Sequence, residues 1–290
     1  MAGPKQEGWE TSIEPVELTA ESFARFANFI TAELGIKMPE SKFEMVRGRL
    51  SRRVRDLKME NLEQYADYFF AYANSEEREH LINAITTNKT DFFREKEHFD
   101  FLCGVVLPAA SQDLVRTAER FKVWSAGSSS GEEAYTLSML LADYGSRHIG
   151  FDFAILGTDV STKVLTAASR GIYQEAQVAP VPPEFRKRYL LRSHSKLKAV
   201  VRVAPELRKK VSFHQLNFMD DDYRIKDIFH AVFFRNVMIY YDRPTQEAVI
   251  NKICRHLAPG GYLFVGHSES IAGLDVPVKA VKTSVYRKSH

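Results

Sequence analysis

The sequence predicts an α/β fold: a parallel sheet covered by helices, preceded by an all-helical domain and interrupted by a small antiparallel insert. Apolar residues recur at helical spacing from Thr19 to about Thr87, without strand patterns. After about Val105, short apolar runs alternate with helical segments, as βαβ units require. PVPPEF, residues 180–185, breaks this alternation and precedes two short strand-like runs.

The composition is that of a folded protein, with 44% apolar and 27% charged residues in 290. We expect a cytoplasmic protein without membrane insertion, because long uncharged apolar runs and a secretory signal pattern are absent. A net charge of +3 is too small to indicate nucleic acid as a partner. The two cysteines lie far apart and the nine histidines lack ligand spacing, so no metal site is expected.

The N-terminal region divides into a flexible lead-in, residues 1–16, and a helical domain, residues 17–88. Glycine, proline and charge without periodicity predict the lead-in. Four apolar stripes predict four helices, and Gly35 follows the first as a stop signal. The first two stripes consist of Phe23, Phe26, Ile30 and Leu34, and of Phe43, Val46, Leu50, Val54 and Leu57.

Residues 89–290 are predicted to form the α/β domain, with the insert at about 183–210 and a polar turn at His194–Lys196. The predicted strands are Phe121–Ser125, Phe153–Thr158, Val211–Gln215, Ile228–Arg235, Tyr262–Gly266 and an edge strand within Val278–Arg287. The predicted helices are Glu132–Tyr144, Thr162–Arg170 and Pro244–His256. Pro259, Gly260 and Gly261 are interpreted as a helix stop before the next strand.

The segment Val123–Tyr135, VWSAGSSSGEEAY, is typical of a strand, a cofactor-binding turn and a helix start. Glu132 and Glu133 stand where a phosphate-binding loop would offer N–H groups to an anion. Two carboxylates there would repel a pyrophosphate, so the loop favours a cationic, phosphate-free ligand. S-adenosylmethionine is such a ligand, and methyl transfer is therefore favoured over hydride transfer or ATP chemistry.

Polar residues at the predicted strand ends complete a candidate site. Asp159 ends the second strand, where a carboxylate can accept ribose hydroxyls, although it could instead cap the next helix together with Ser161. The segment FFRNVMIYYD, residues 233–242, lies at the tip of a predicted strand. Its polar residues Arg235, Asn236 and Tyr240 stand at the end of an apolar run, but a strand that simply terminates would also show polar residues.

Two further segments have a functional and a structural interpretation. NKTDFFRE contains Asn88, Thr90 and Arg94, which could line an interdomain ligand site or form a capped helix start. The segment 41–60 is basic, and its arginines could form either a solvated face or a docking face for an acidic partner. The candidate partner-binding residues are Arg49, Arg52, Arg53 and Arg55.

Five motifs in order, TTNKTDFFRE, WSAGSSSGEEAY, GTDVST, FFRNVMIYYD and LAPGGYLFVGHSES, resemble those of the CheR family of chemotaxis receptor glutamate methyltransferases. The resemblance implies an S-adenosylmethionine-dependent, Rossmann-like methyltransferase sheet, with S-adenosylhomocysteine as product. It implies that the transferred methyl lies nearest Arg94 and Tyr240, and that the basic helix meets chemoreceptor helices. One departure is Ala134, where the family usually has proline. By this resemblance the cofactor-lining residues are Asn88, Thr90, Arg94, Glu133, Asp159, Asn217, Phe218, Arg235 and Asn236.

Two other functions remain open at this point. One is a methyltransferase acting on RNA or a small molecule, and the other is a non-catalytic S-adenosylmethionine-binding adaptor. An adaptor would be expected to lose Arg94 or Tyr240, and both are present. A monomer is the default expectation, and the sequence does not identify the receptor.

Overall fold

The computed structural model describes residues 17–193 and 199–289. The predicted lead-in, residues 1–16, and the predicted turn His194–Lys196 lie outside the described residues. The described residues form two compact units, one comprising 17–29 with Met38–Ile85 and the other Ile30–Lys37 with 86–193 and 199–289.

The smaller unit is helical, as predicted. Its aromatic core includes Phe26, whose ring centroid lies 5.9 Å from that of Tyr65 and 5.7 Å from that of Phe69. Asn61 caps the third helix, because its side chain accepts a hydrogen bond from the Gln64 N–H. The N-terminal helices are α1 Ala20–Leu34, whose last turn groups with the larger unit, α2 Phe43–Asp56, α3 Leu62–Tyr72 and α4 Ser75–Ile85.

The larger unit contains a seven-stranded sheet in the order β6-β2-β1-β7-β8-β10-β9. The first five strands of this order pair in parallel, and the last two form an antiparallel hairpin. The predicted α/β fold is thus confirmed. The strands of this sheet are β1 Phe121–Ala126, β2 Phe153–Asp159, β6 Val211–Gln215, β7 Phe229–Phe234, β8 Leu257–Val265, β9 Val278–Lys282 and β10 Val285–Lys288.

The helices of the larger unit include the three that were predicted. One of them, α8, begins and ends at the predicted residues, Thr162 and Arg170. The segment Lys96–Thr117 is also helical and passes through a π-helical stretch at Leu102–Val106. A capped helix start was considered for the preceding segment NKTDFFRE, but a helix at Lys96–Thr117 was not among the predicted helices. The helices are α5 Lys96–Phe101, α6 Leu107–Thr117, α7 Glu132–Arg147, α8 Thr162–Arg170, α9 Pro183–Tyr189, α10 Pro205–Arg208 and α11 Arg243–Arg255.

Two predictions near the C-terminus are wrong. Helix α11 ends at Arg255, and the predicted stop at Pro259–Gly261 lies inside β8. Strand β8 accommodates these residues through a register shift, since Leu257 pairs with Phe229 and Tyr262 pairs with Ala231. The predicted single edge strand is a hairpin of β9 and β10, with β10 between β8 and β9.

The predicted antiparallel insert is a three-stranded sheet in the order β3-β5-β4. Strands β4 Leu190–Arg192 and β5 Val200–Val203 form in the two predicted runs. Strand β3, Ile172–Gln174, pairs with β5 and lies before the range of about 183–210 proposed for the insert. Among the described residues, no helix has the length and apolar character that a bilayer crossing requires.

Candidate active site

Three parallel strands of the larger unit bring predicted site residues to one edge of the sheet. Asp159 ends β2, Asn217 follows β6, and Arg235 and Asn236 follow β7. The strand order changes direction between β1 and β7, because β1 has β2 on one side and β7 on the other. Ligands of open α/β sheets bind at such a switch point, beyond the carboxyl ends of the strands.

The loop between β1 and α7 turns through three residues with positive φ, of which two are glycines and the third is Ser129, with a φ of +47°. Gly127 and Gly131 have φ values of +82° and +95°. A Cβ atom at Gly127 would lie 2.6 Å from Cγ2 of Val237, and one at Gly131 would lie 2.9 Å from Cβ of Ala168. Side chains at these positions would therefore displace neighbouring elements.

Most N–H groups of this loop are bound within the protein. Gly127 N and Ser128 N each donate to the Thr158 carbonyl at 2.8 Å, and Gly131 N donates to the Ser128 carbonyl at 3.0 Å. Ser129 N donates to a buried carboxylate. A phosphate-binding loop needs N–H groups directed at the ligand, so this loop suits a ligand without phosphate.

Ser129 connects two of the predicted cofactor residues. Its N–H donates to Oδ2 of Asp159 at 2.9 Å, and its hydroxyl donates to the carbonyl of Asn88 at 2.8 Å. Asp159 is 8% exposed. Burial raises the pKa of Asp159, whereas hydrogen bonds from the N–H groups of Ser161 and Ser129 act in the opposite direction.

The cap of α8 is Ser161, whose hydroxyl accepts a hydrogen bond from Val164 N. The Asp159 carboxylate accepts from Ser161 N at 3.0 Å and Ser129 N at 2.9 Å. Each carboxylate oxygen has a further lone pair. Asp159 can therefore accept hydroxyl donors of a ligand in addition to its present bonds.

The Arg235 side chain is 3% exposed, and its Nε and Nη1 groups are bound by neighbouring groups. Its Nε donates to Oε2 of Glu133 at 2.7 Å, and its Nη1 donates to the Arg94 carbonyl at 2.8 Å. The same Nη1 lies 3.3 Å from Oε2 of Glu95 and 3.2 Å from Nδ1 of His98. This geometry makes Arg235 an organiser of the surrounding chain segments.

The carboxylates at the start of α7 are buried and bound within the protein. Glu133 is neutralised by Arg235, and its Oε1 accepts the hydroxyl of Ser125 at 2.6 Å. Burial raises the pKa of Glu132, whose Oε2 accepts the hydroxyl of Ser130 at 2.7 Å. The phosphate-free ligand is therefore favoured chiefly by the bound N–H groups of the loop, and electrostatic repulsion has the smaller role.

Glu95, His98 and His267 place one ligand-type atom each within 4.8 Å of the others. Burial and then the Arg235 charge lower the pKa of His98 to about 4, so its imidazole is neutral and Nδ1 can accept from the guanidinium. The Arg235 guanidinium already supplies the positive charge at this cluster. A metal cation would meet that charge at close range, so the cluster does not support a metal site.

The two predicted catalytic side chains keep polar groups available. Among the described residues, the Arg94 guanidinium makes one hydrogen bond, with Nη1 donating to the Lys89 carbonyl at 3.3 Å. The Tyr240 hydroxyl makes none to the described residues, while the Tyr240 carbonyl accepts from Lys37 N at 3.0 Å. Thr90 is half-buried in the linker before Arg94.

Asn217 and Phe218 follow β6 and are held by their surroundings. The Asn217 amide donates to the Glu33 carbonyl at 2.7 Å, and its Oδ1 accepts from Met219 N at 3.0 Å. The ring of Phe218 packs in the core, with its centroid 4.9 Å from that of Phe234. Asn217 retains one amide hydrogen beyond the bond to Glu33, whereas Phe218 acts here as a core residue.

The basic helix α2 uses two of its four predicted partner-binding arginines internally. Arg53 forms a bidentate pair with Glu77, with Nε to Oε1 at 2.9 Å and Nη2 to Oε2 at 2.5 Å. Glu77 is 3% exposed and also accepts the Tyr65 hydroxyl at 2.8 Å. Arg49 donates to the Ile85 carbonyl.

The other two arginines of this set face solvent. The Arg52 side chain is 79% exposed and lies 4.0 Å from the Asp56 carboxylate. Arg55 is also exposed. The exposed part of the predicted docking face therefore consists of Arg52 and Arg55.

The larger unit contains a cavity of about 870 Å³. It is lined by β2, β6 and the loop Asp220–Asp227, and none of the predicted site residues lines it. Several residues that organise the site were not among the predicted site residues, namely Ser125, Ser129, Glu95, His98 and Glu269. All of them except His98 stand within the five motifs that carry the family resemblance.

The parallel sheet, its switch point and the internally bonded glycine loop define a Rossmann-like methyltransferase. The family described as CheR methyltransferase, SAM binding domain, matches residues 88–287. The family described as CheR methyltransferase, all-alpha domain, matches residues 21–86. The chain belongs to the CheR methyltransferase family, and its methyl donor is S-adenosylmethionine.

Curated relatives agree with this assignment. The chemotaxis protein methyltransferase of Salmonella typhimurium is 36% identical over 257 residues, covering 89% of this chain and 86% of that protein. The one of Borreliella burgdorferi is 33% identical over 276 residues, covering 94% and 96%. The one of Escherichia coli is 35% identical over 262 residues, covering 90% and 88%.

Proposed function

We propose that this chain transfers the methyl group of S-adenosylmethionine to glutamate side-chain carboxylates of chemoreceptors, forming methyl esters. Family membership over both matched ranges carries the proposal. The named activity of the relatives, chemotaxis protein methyltransferase, supports a chemosensory substrate. We further propose that the protein acts in the cytoplasm as a monomer.

The cofactor side of the site is built around the Asp159 carboxylate. Asp159 accepts the ribose hydroxyls, and Ser129 holds it beside the linker by bonding to both Asp159 and Asn88. The free amide hydrogen of Asn217 is a donor for the adenine, while Phe218 anchors that turn in the core. Thr90 and Asn236 complete the lining. When bound, S-adenosylmethionine supplies an electrophilic sulfonium methyl.

The substrate side needs alignment more than base catalysis. A glutamate carboxylate is ionised near neutral pH and already nucleophilic, so no strong general base is required. Its attack on a sulfonium methyl cancels opposite charges, and a partly desolvated site favours that change. Holding both reactants in near-attack geometry can contribute about 7 to 11 kcal/mol.

Arg94 and Tyr240 are the proposed aligning residues. The guanidinium of Arg94 can orient the incoming carboxylate, and the Tyr240 hydroxyl can position one of its oxygens. Arg235 contributes through the backbone, because its bond to the Arg94 carbonyl fixes the chain there. Too strong a pair between Arg94 and the substrate would stabilise the ground state and slow transfer.

The proposed receptor contact uses the exposed arginines of α2. Arg52 and Arg55 can meet acidic groups on receptor helices and increase the rate of encounter. Arg53 and Arg49 support this face from inside the helical unit through their bonds to Glu77 and the Ile85 carbonyl.

The decisive assay follows labelled methyl from S-adenosylmethionine onto purified receptor cytoplasmic fragments. We expect base-labile methyl esters on glutamates, a loss of turnover in Arg94→Ala and Tyr240→Phe, and retained cofactor affinity in Tyr240→Phe. Tyr72→Phe, at a 78% exposed position, is the matched control. Stable label in RNA, or heat of binding with NAD or ATP but none with S-adenosylhomocysteine, would contradict the proposal.

A further inference from the structure

Glu269 bridges the loops that follow two neighbouring parallel strands, β7 and β8. Its carboxylate accepts the backbone N–H of Asn236 at 2.8 Å, of Gly266 at 2.6 Å and of Ile239 at 3.3 Å. The residue is 7% exposed. A buried carboxylate with three backbone donors is well satisfied, and it ties both loops to one point.

The segment that Glu269 holds is conformationally strained. Asn236 has a φ of +61°, in the left-handed region. A Cβ atom on Gly266 would lie 2.5 Å from Nδ2 of Asn236 and 2.9 Å from Oε2 of Glu269. Strained residues persist where their surroundings fix them, and they concentrate at functional sites. The bond from Asn236 N to Glu269 is one of the constraints that fix this conformation.

The same segment delivers two proposed site residues. Asn236 begins it, and Tyr240 ends the short 3₁₀ turn Met238–Tyr240. The Tyr240 hydroxyl makes no hydrogen bond to the described residues, so its position depends on the backbone of this turn and on the packing of the Tyr240 ring against the core. Glu269 binds the turn through Ile239 N.

We propose that Glu269 is a positioning residue for methyl transfer, which fixes the segment 236–240 so that Asn236 and Tyr240 meet the reactants in the correct geometry. This inference rests on the roles of Asn236 and Tyr240 under "Proposed function". A glutamine cannot replace the carboxylate fully, because its NH₂ group would face a backbone N–H where a second acceptor oxygen is needed.

The test is a double-mutant cycle on the full chain. Glu269→Gln is expected to lower kcat for receptor methylation by about tenfold or more. In a Tyr240→Phe background and in an Asn236→Ala background the further loss is expected to be smaller than in the unmodified chain, because Glu269 acts through both residues. Glu247→Gln is the matched control, since Glu247 also accepts a backbone N–H, that of Asp275 at 2.9 Å, away from the site.

Equal losses from Glu269→Gln in the unmodified, Tyr240→Phe and Asn236→Ala backgrounds would overturn the positioning role, as would unchanged kcat in the single variant. Full turnover in Tyr240→Phe alone would instead contradict the proposed role of Tyr240, and the cycle with Asn236→Ala then decides the role of Glu269 by the same criterion.

A measurement on the unmodified protein covers the case in which Glu269→Gln does not fold. Amide hydrogen exchange of Asn236, Ile239 and Gly266 is expected to be at least about tenfold slower than that of Asp275 without any ligand. Exchange of all three at the rate of Asp275 would show that Glu269 does not hold the segment, and would overturn the inference.

Discussion

Two arginine–glutamate pairs, one in each unit, show how the same chemistry serves different purposes. In the helical unit, Arg53 pairs with Glu77, and their side chains are 21% and 3% exposed. In the α/β unit, Arg235 pairs with Glu133, and their side chains are 3% and 11% exposed. Both are bonded at 2.5 to 2.7 Å.

The difference lies in what each pair connects. The Arg53 pair joins α2 to α4 and, through the Tyr65 hydroxyl, to α3, so it stabilises a helical fold. The Arg235 pair joins the turn after β7 to the start of α7 and to the carbonyl of Arg94. Disruption of the first should reduce stability alone, whereas disruption of the second should also abolish the site.

Arg235→Ala is expected to have the largest effect. It leaves Glu133 buried without its partner, which typically costs about 3 to 5 kcal/mol of unfolding free energy. It also releases the Arg94 segment, and misplacement of aligning groups by about 1 Å costs roughly 100-fold in turnover. Denaturant unfolding and receptor methylation measure the two effects.

Arg235→Lys distinguishes charge from geometry at this position. A lysine keeps the charge but cannot hold the Nε and Nη1 contacts in the same fork, so it should recover much of the stability and little of the turnover. Arg287→Ala, at an exposed arginine that donates to the Gly260 carbonyl, is the control. Full activity in Arg235→Lys would remove the distinction drawn between the two pairs.

The sequence predicted the elements whose signals are local. Helix α8 lies at the predicted residues, because a cap, an apolar stripe and Gly171 mark both ends. The predicted ends of β1 and β2 are within one residue of the observed ones. The strand predictions failed at β8 and the β9–β10 hairpin, because a register shift and a left-handed Ser284 turn depend on neighbouring strands.

The site was predictable in part for the same reason. Residues at strand tips, such as Asp159, follow from pattern and parallel topology. The partners that organise them could not be predicted, since Ser129, Glu95 and Glu269 act over contacts between segments distant in sequence. The pairing of Arg53 with Glu77 likewise depends on how α2 meets α4, which no spacing within one helix reveals.

The second prediction concerns the pH dependence of cofactor affinity. Burial raises the pKa of Asp159, so in the free protein this carboxylate takes up a proton at a higher pH than an ordinary aspartate does. Hydroxyl donors favour the ionised carboxylate, so ligand binding lowers that pKa and releases the proton. Affinity for S-adenosylhomocysteine should therefore fall as pH decreases through the pKa of the free protein.

Calorimetry from neutral pH down towards the ordinary aspartate pKa of about 3.9 measures this fall. Asp159→Asn should bind about tenfold more weakly near neutral pH, because hydrogen bonds to a charged group contribute about 1.5 to 3 kcal/mol. The affinity of Asp159→Asn should also change less with pH, because the titrating carboxylate has been removed. A smaller pH dependence can persist, because the buried Glu132 and Glu269 remain. A pH profile identical to that of the unmodified protein would remove Asp159 from the ligand site.

The third prediction separates two arginines on one helix. Arg53→Ala should destabilise the protein by about 1 to 3 kcal/mol, because it leaves the buried Glu77 carboxylate without its arginine partner. The loss is moderate because the Arg53 side chain is itself 21% exposed. Arg52→Ala should leave stability unchanged within about 0.5 kcal/mol and raise KM for the receptor. Cofactor affinity should be the same in both.

Receptor KM and unfolding free energy must be measured on the same preparations for this comparison. An increase in KM caused by Arg53→Ala but not by Arg52→Ala would show that the receptor contact lies elsewhere on the helical unit. Loss of cofactor binding in either variant would show that the helical unit acts directly on the site.

The smallest expected effect is that of a helix cap in the smaller, helical unit, which contains none of the proposed cofactor residues. The Asn61 side chain accepts from Gln64 N at 2.9 Å, and Asn61→Ala should cost about 1 kcal/mol of unfolding free energy. Ser161→Ala removes the corresponding cap of α8, but Ser161 N also donates to the Asp159 carboxylate. With similar losses of stability, only Ser161→Ala should weaken S-adenosylhomocysteine binding, because fraying of α8 disturbs Asp159. Equal cofactor affinities in the two variants would mean that the side-chain cap of α8 does not contribute to holding Asp159.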